Sequence, residues 1–164
     1  MSDLLNELAL ATAHPGQPGA LFETADRVLQ GRFGHQLFTL LAYHPESGEV
    51  ERLYSSRPED FPLQGRKLMG PTEWGARVLH SGEAYLGRTV ADIRWAFPDH
   101  ELIASLGLGC ILNRPLVWNG EVLGVLSLLQ EGEGRYSEAD LEAAAPYTAL
   151  LLPAYLQLRH DAQS

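Results

Sequence analysis

One dipeptide constrains this chain more than any other feature: Asn119-Gly120, set between two apolar runs, Gly109 to Trp118 and Glu121 to Gln130. Both central residues of a type I′ turn need positive φ, and Asn-Gly supplies that at low cost. The two runs are therefore read as an antiparallel hairpin. Within the second, Val125, Leu126, Leu128 and Leu129 leave almost no polar alternation. A strand of that kind is covered on both faces. Gly124, in the same run, lets another backbone or a helix approach closely, and Pro115 marks a strand edge or bulge.

The rest of the chain supplies what could cover such a sheet. Leu4, Leu5, Leu8, Ala11 and Thr12 fall at helical spacing, with Asp3 as the expected N-cap. After the breaker His14-Pro-Gly-Gln-Pro-Gly19, the spacing of Leu21, Phe22, Ala25, Val28 and Leu29 predicts a second helix. It should end near Gly31 or Gly34. Gln36 to His44 and Glu49 to Ser55 read as a second hairpin about the turn Pro45-Glu-Ser-Gly48. Arg57 to Gly70 is loop-like. Thr72 should cap a helix to about His80 with Gly82 as its stop, and Ala84 to Gly87 should be a short strand. Asp92 to Leu106 is irregular or helical, interrupted at Pro98. Ser137-Glu-Ala-Asp140 is a capping-box variant opening a last helix. Pro146 and Pro153 should bend that helix or break it twice. Hairpins separated by helices imply an α/β fold of the α+β type, an antiparallel sheet with helices on its faces.

With 164 residues, the chain suits one hydrophobic core. A net charge of -9 makes nucleic acid and anionic membrane surfaces poor partners. The single cysteine, Cys110, cannot form an internal disulfide and fits a reducing compartment. Neither a signal peptide nor a spanning segment is read, so the cytoplasm is the expected location. His14, His35, His44, His80, His100 and His160 show no metal-ligand spacing on one helix, so neither a metal nor a cofactor is expected. Ser127 has no evident His and acid partners, which argues against a nucleophile.

Three segments in order resemble the GAF family: Gly109-Cys-Ile-Leu-Asn-Arg-Pro-Leu116, Asn119-Gly-Glu-Val-Leu-Gly-Val-Leu-Ser-Leu128 and Tyr136-Ser-Glu-Ala-Asp-Leu141. The likeness covers roughly residues 20 to 158. It implies an N-terminal helix and linker over 1–19 and a GAF-like domain over 20–164. It also implies a small-molecule-binding sensory or regulatory module. Among single-domain relatives, the free methionine-(R)-sulfoxide reductases share a segment similar to Phe97-Pro-Asp-His100. Their chemistry needs a thiolate and a resolving thiol. Here Trp74 and the Ile103–Ala104 region stand where family cysteines would be, and Ile111, Ser127 and Leu129 replace pocket carboxylates. The chain is therefore expected not to be an enzyme, with such a reductase as the alternative. The cyclic-nucleotide signature is broken at Leu141. Bilin attachment is disfavoured because Cys110 is followed by Ile111. Cys110 reads as a small buried apolar residue.

By the same resemblance a ligand would lie between one sheet face and the central irregular segment. That places Trp74, Trp95, Phe97, His100, Asn113 and Ser127 as candidate ligand-binding residues, with Asn113 and Ser127 as the polar anchors. The aromatics would serve as well as plain core. Asn113 is the sharpest of the six, because a carboxamide inside an apolar strand needs partners. The expected partners are an unidentified small organic ligand and a second copy, joined through the terminal helices. A ligandless dimerisation scaffold is the remaining reading.

Overall fold

The computed structural model describes residues 3–63 and 65–163. Its six strands are β1 (Leu37–His44), β2 (Glu49–Ser55), β3 (Arg66–Leu68), β4 (Tyr85–Gly87), β5 (Leu108–Trp118) and β6 (Glu121–Glu131). They form a single antiparallel sheet of order β3-β2-β1-β6-β5-β4. The β5–β6 turn adopts positive φ at both residues, 53° at Asn119 and 78° at Gly120. Pro115 lies beyond Asn113, the last β5 residue paired with β4, so its missing N–H interrupts no ladder on that side.

Strand parity splits the core. Phe38, Leu40, Leu112, Leu126 and Leu128 face one side. There they meet α1 (Asp3–Ala11), α2 (Gly19–Phe33) and three C-terminal helices, α6 (Glu138–Ala143), α7 (Ala145–Ala149) and α8 (Leu152–Ala162). Leu37, Ile111, Val125 and Leu129 face the other. That side is covered by α3 (Glu73–Gly75) with a π-helical turn at Ala76–His80, then α4 (Val90–Ala96) and α5 (His100–Ser105). Helices thus lie on both faces, as the apolar β6 run requires.

Some boundaries match the sequence reading and others differ, each for a local reason. Asp3 lies inside α1 rather than capping it. Helix α2 passes Gly31 and stops at Gly34, whose left-handed φ of 65° closes the C-terminus. The Arg57–Gly70 loop contains the edge strand β3, too short to show a period. Thr72 does cap, accepting from the Gly75 N–H at 2.9 Å, but the helix widens into a π turn after three residues. The central segment is two helices separated around Pro98, the first opened by a Thr89–Asp92 capping box. Ser137 and Asp140 form the expected box. The last helix breaks twice, and each proline sits in the first turn of the piece that follows, where its missing N–H costs nothing.

Helix α1 shares the common core: Leu8 and Ala11 are fully buried, while Leu10 stays 65% exposed. Helix α8 reaches the sheet at Gly124. A Cβ there would overlap the Leu41 carbonyl oxygen and the Tyr155 ring. Tyr155 uses that closeness to donate its hydroxyl to the Leu41 carbonyl at 2.9 Å. No described helix is long and apolar enough to cross a membrane.

Candidate functional site

The site lies on the side of the sheet that α4 and α5 cover. Ile111, Ser127 and Leu129 come from β5 and β6, and Leu37, Thr39 and Leu41 from β1. Above them lie Phe61, Phe97 and Ile103, and along the rim Lys67 and Asp99. They enclose a cavity of about 50 Å³. One water needs about 10–15 Å³ on the same measure, so the space exceeds a single solvent molecule.

Most of the lining is apolar; Thr39 and Ser127 add hydroxyls on its floor, and the charged groups Arg52, Lys67 and Asp99 lie together. Arg52 of β2 lies over the Phe61 ring at 5.3 Å and donates Nη1 to the Pro62 carbonyl at 3.1 Å. Lys67 Nζ of β3 meets Asp99 Oδ2 at 2.7 Å, tying the sheet edge to the start of α5. The Lys67 and Asp99 side chains are 33% and 24% exposed, which places this pair at the mouth. Two buried atoms on these residues, Arg52 Nε and Asp99 Oδ1, have no hydrogen-bond partner among the described residues. Burial pulls the Arg52 guanidinium below its ordinary value, and the Asp99 charge opposes that.

Arg52 reaches this face through an irregularity in β2. Leu41 pairs with Arg52 and Leu40 with Tyr54, leaving Leu53 as the extra residue of a bulge. Regular alternation would send Arg52 and Tyr54 to one side. With the bulge, Arg52 turns to the cavity and Tyr54 to the helices, where its hydroxyl donates to Asp26 Oδ2 at 2.7 Å.

The six residues expected from sequence are brought partly together. Phe97 and Ser127 line the cavity. Trp74, Asn113 and Ser127 form a buried chain. The Trp74 indole N–H donates to Asn113 Oδ1 at 3.1 Å, and Asn113 Nδ2 donates to Ser127 Oγ at 2.7 Å. Asn113 is fully buried and finds its partners in the protein. Ser127 accepts in that chain, so its own proton remains to be donated. Trp74 packs on Phe97 with ring centres 5.1 Å apart, behind the cavity wall. Trp95 stands outside, 47% exposed, bonded to Glu73 Oε2 at 2.8 Å and set against Tyr85. His100, the first residue of α5, is absent from the lining.

Arg52, Lys67 and Asp99 were not singled out by the sequence. The available signal was Arg52, a charged residue two positions from the buried Val50 in a segment read as a strand. Cys110 is buried on the helix side of the sheet, opposite the cavity, and desolvation pushes its thiol up. Among the described residues no cluster of three or more His, Cys, Asp or Glu is placed to hold a metal.

No protein-family model matches this chain, and no curated protein does. Solved structures do. A GAF domain from a Coxiella burnetii phosphoenolpyruvate-protein phosphotransferase superposes with a TM-score of 0.80 at 16% identity, covering 98% of this chain and 95% of that one. The phycoerythrobilin-bound GAF domain of a cyanobacterial phytochrome gives 0.71 at 14%, covering 96% of each. Free methionine-R-sulfoxide reductase from Neisseria meningitidis, solved with its substrate, gives 0.69 at 21%, covering 96% and 89%. With the same sheet and the same helical cover shared over nearly its whole length, this chain has the fold of a GAF domain.

Proposed function

We propose that this protein is a sensory or regulatory module that binds a small organic molecule in the cavity beneath α4 and α5, and that it performs no catalysis. The observation that supports this most is the cavity itself, mostly apolar along its walls with a few polar groups among them. That is the usual form of a small-molecule site. The phytochrome domain and the reductase, which share this fold, were each solved with a small molecule bound. Against the reductase reading stands the single thiol, which faces the opposite side of the sheet and has no second cysteine to resolve an adduct.

The test is a thermal-shift screen of the whole chain against a metabolite panel, repeated with Ile111→Phe to fill the cavity. The expected result is a compound that raises Tm in the wild type and not in the filled variant. If no compound does so, the ligandless scaffold is the better reading. Thiol-dependent turnover of methionine sulfoxide, lost in Cys110→Ser, would overturn the non-catalytic assignment.

The same proposal includes a homodimer through the terminal helices. It draws on Leu10 of α1, which stays 65% exposed on a terminal helix. An exposed apolar side chain there favours a two-fold partner. Light scattering at micromolar protein should give a dimer mass, reduced to that of a monomer by Leu10→Glu. A monomer in the wild type would end this part of the reading.

A further inference from the structure

We propose that the cavity is built for a small carboxylate carrying a hydroxyl beside the carboxylate, a short-chain 2-hydroxy acid. The inference rests on the ligand-binding reading above and names the chemistry of its ligand.

Among the described residues Arg52 Nε–H is a buried donor without an acceptor and Asp99 Oδ1 a buried acceptor without a donor, and both residues line one cavity. Leaving either unmet is costly, and more so because both groups are charged. A ligand with an acceptor for Arg52 and a donor for Asp99 satisfies both together. A carboxylate is the matching acceptor for a guanidinium, and such charge-assisted bonds are stronger than neutral ones. The donor then has to sit close to the carboxylate, because the two protein groups lie together.

Charge points the same way. The charged groups of the lining are two cations, Arg52 and Lys67, and one anion, Asp99, which acts on both. Together they leave one net positive charge at the site, inside a chain of net charge -9. A hydroxy acid brings one negative charge and balances it. An amino acid, as a zwitterion, brings none, so the hydroxyl is preferred over the ammonium as donor. In the remaining wall Leu37, Leu41, Ile111, Phe97 and Leu129 are apolar and Thr39 and Ser127 add only neutral hydroxyls, so the rest of the ligand is uncharged and mostly apolar, and the small volume keeps it short.

Calorimetric titration of the full chain with four matched probes tests this: 2-hydroxybutyrate, butyrate, 2-hydroxybutyramide and 2-aminobutyrate. The expected result is that 2-hydroxybutyrate binds tightest. Loss of either the charge or the hydroxyl should weaken binding by about tenfold. Arg52→Gln should remove most binding, and Arg52→Lys, which keeps the charge but loses the fork, should be intermediate. Asp99→Ala should abolish the preference for 2-hydroxybutyrate over butyrate. Each variant is taken forward only with a wild-type far-ultraviolet dichroism spectrum and a cooperative melt; if Arg52→Gln fails, Arg52→Lys carries the test. Equal affinity for the acid and its amide would overturn the proposal, as would tighter binding of 2-aminobutyrate. If the four probes give no heat while an uncharged metabolite raises Tm in the wild type alone, the ligand class fails and the cavity reading stands. If nothing binds, both fail.

Discussion

The two faces of the sheet are made from the same strands and serve different ends. On the helix side, Phe38, Leu40, Leu112, Leu126 and Leu128 are fully buried in one continuous core with α1, α2 and the C-terminal helices. On the other side the buried apolar residues divide into two smaller groups, and a cavity with charged residues at its rim lies among them. A shift of one residue along β6 crosses from one regime to the other. Close packing stabilises, because each buried side chain gains many dispersion contacts. A hollow forfeits some of those contacts and offers room instead. Close packing and a hollow need not compete in this fold, since the pleat sends alternate residues to each.

Adjacent truncations in β6 test that division and should show the largest effect. Leu128→Ala, on the closed face, should cost about 3–5 kcal/mol in urea unfolding. Leu129→Ala, on the cavity wall, should cost about 2 kcal/mol, since part of its surface already faces empty space. Equal losses would mean that the two faces are equally packed.

Gly124→Ala comes next. The added methyl meets the Leu41 carbonyl oxygen, which is backbone, and the Tyr155 ring. The strain should cost about 2–3 kcal/mol by the same measurement and loosen α8 from the sheet. Hydrogen exchange should then rise in α8 and not in α5.

The closed face should also be the more sensitive to alkali, since it holds three tyrosines raised by burial against Tyr85 on the cavity side. Burial holds the Tyr54, Tyr136 and Tyr155 hydroxyls above their ordinary value of 10.0, with the Asp26 hydrogen bond adding to this at Tyr54. A raised folded value means that this contribution to stability is complete below pH 10 and is lost as pH rises above it. Tyr155→Phe should flatten that decline, at a cost near neutral pH of about 1 kcal/mol for the lost bond to Leu41. Chemical unfolding between pH 7 and pH 11 checks both.

The smallest effect on stability should come from the cavity's own charge. Arg52→Met removes a partly satisfied guanidinium and keeps the stem over Phe61. Unfolding free energy should stay within about 1 kcal/mol of wild type, in either direction. A larger loss would make Arg52 a structural residue rather than a binding one.

Much of the fold was legible because its signals are local. Asn119-Gly120 fixed one hairpin, the heptad-spaced prolines broke the last helix, and the Ser137–Asp140 box opened it. The edge strand β3 was not legible, because three residues carry no period. At the site, Phe97 and Ser127 were placed in the lining, and Asn113 was recognised as a group needing partners. The sequence did not reveal that those partners would be Trp74 and Ser127, which lie 39 and 14 residues away.

By itself, then, the sequence determined the order of the elements other than β3, a sheet covered on both sides and a single thiol. Periodicity, capping and turn chemistry act over a few residues and can be read in one dimension. Tertiary structure alone decided what meets at the cavity mouth. Arg52 faces it because β1 and β2 pair through a bulge at Leu53. Lys67 and Asp99, 32 residues apart, meet because β3 lies at one edge of the sheet while the chain returns through α4 and α5. Such convergence depends on register and sheet order, which are properties of the packed whole, and no local pattern of residues encodes them.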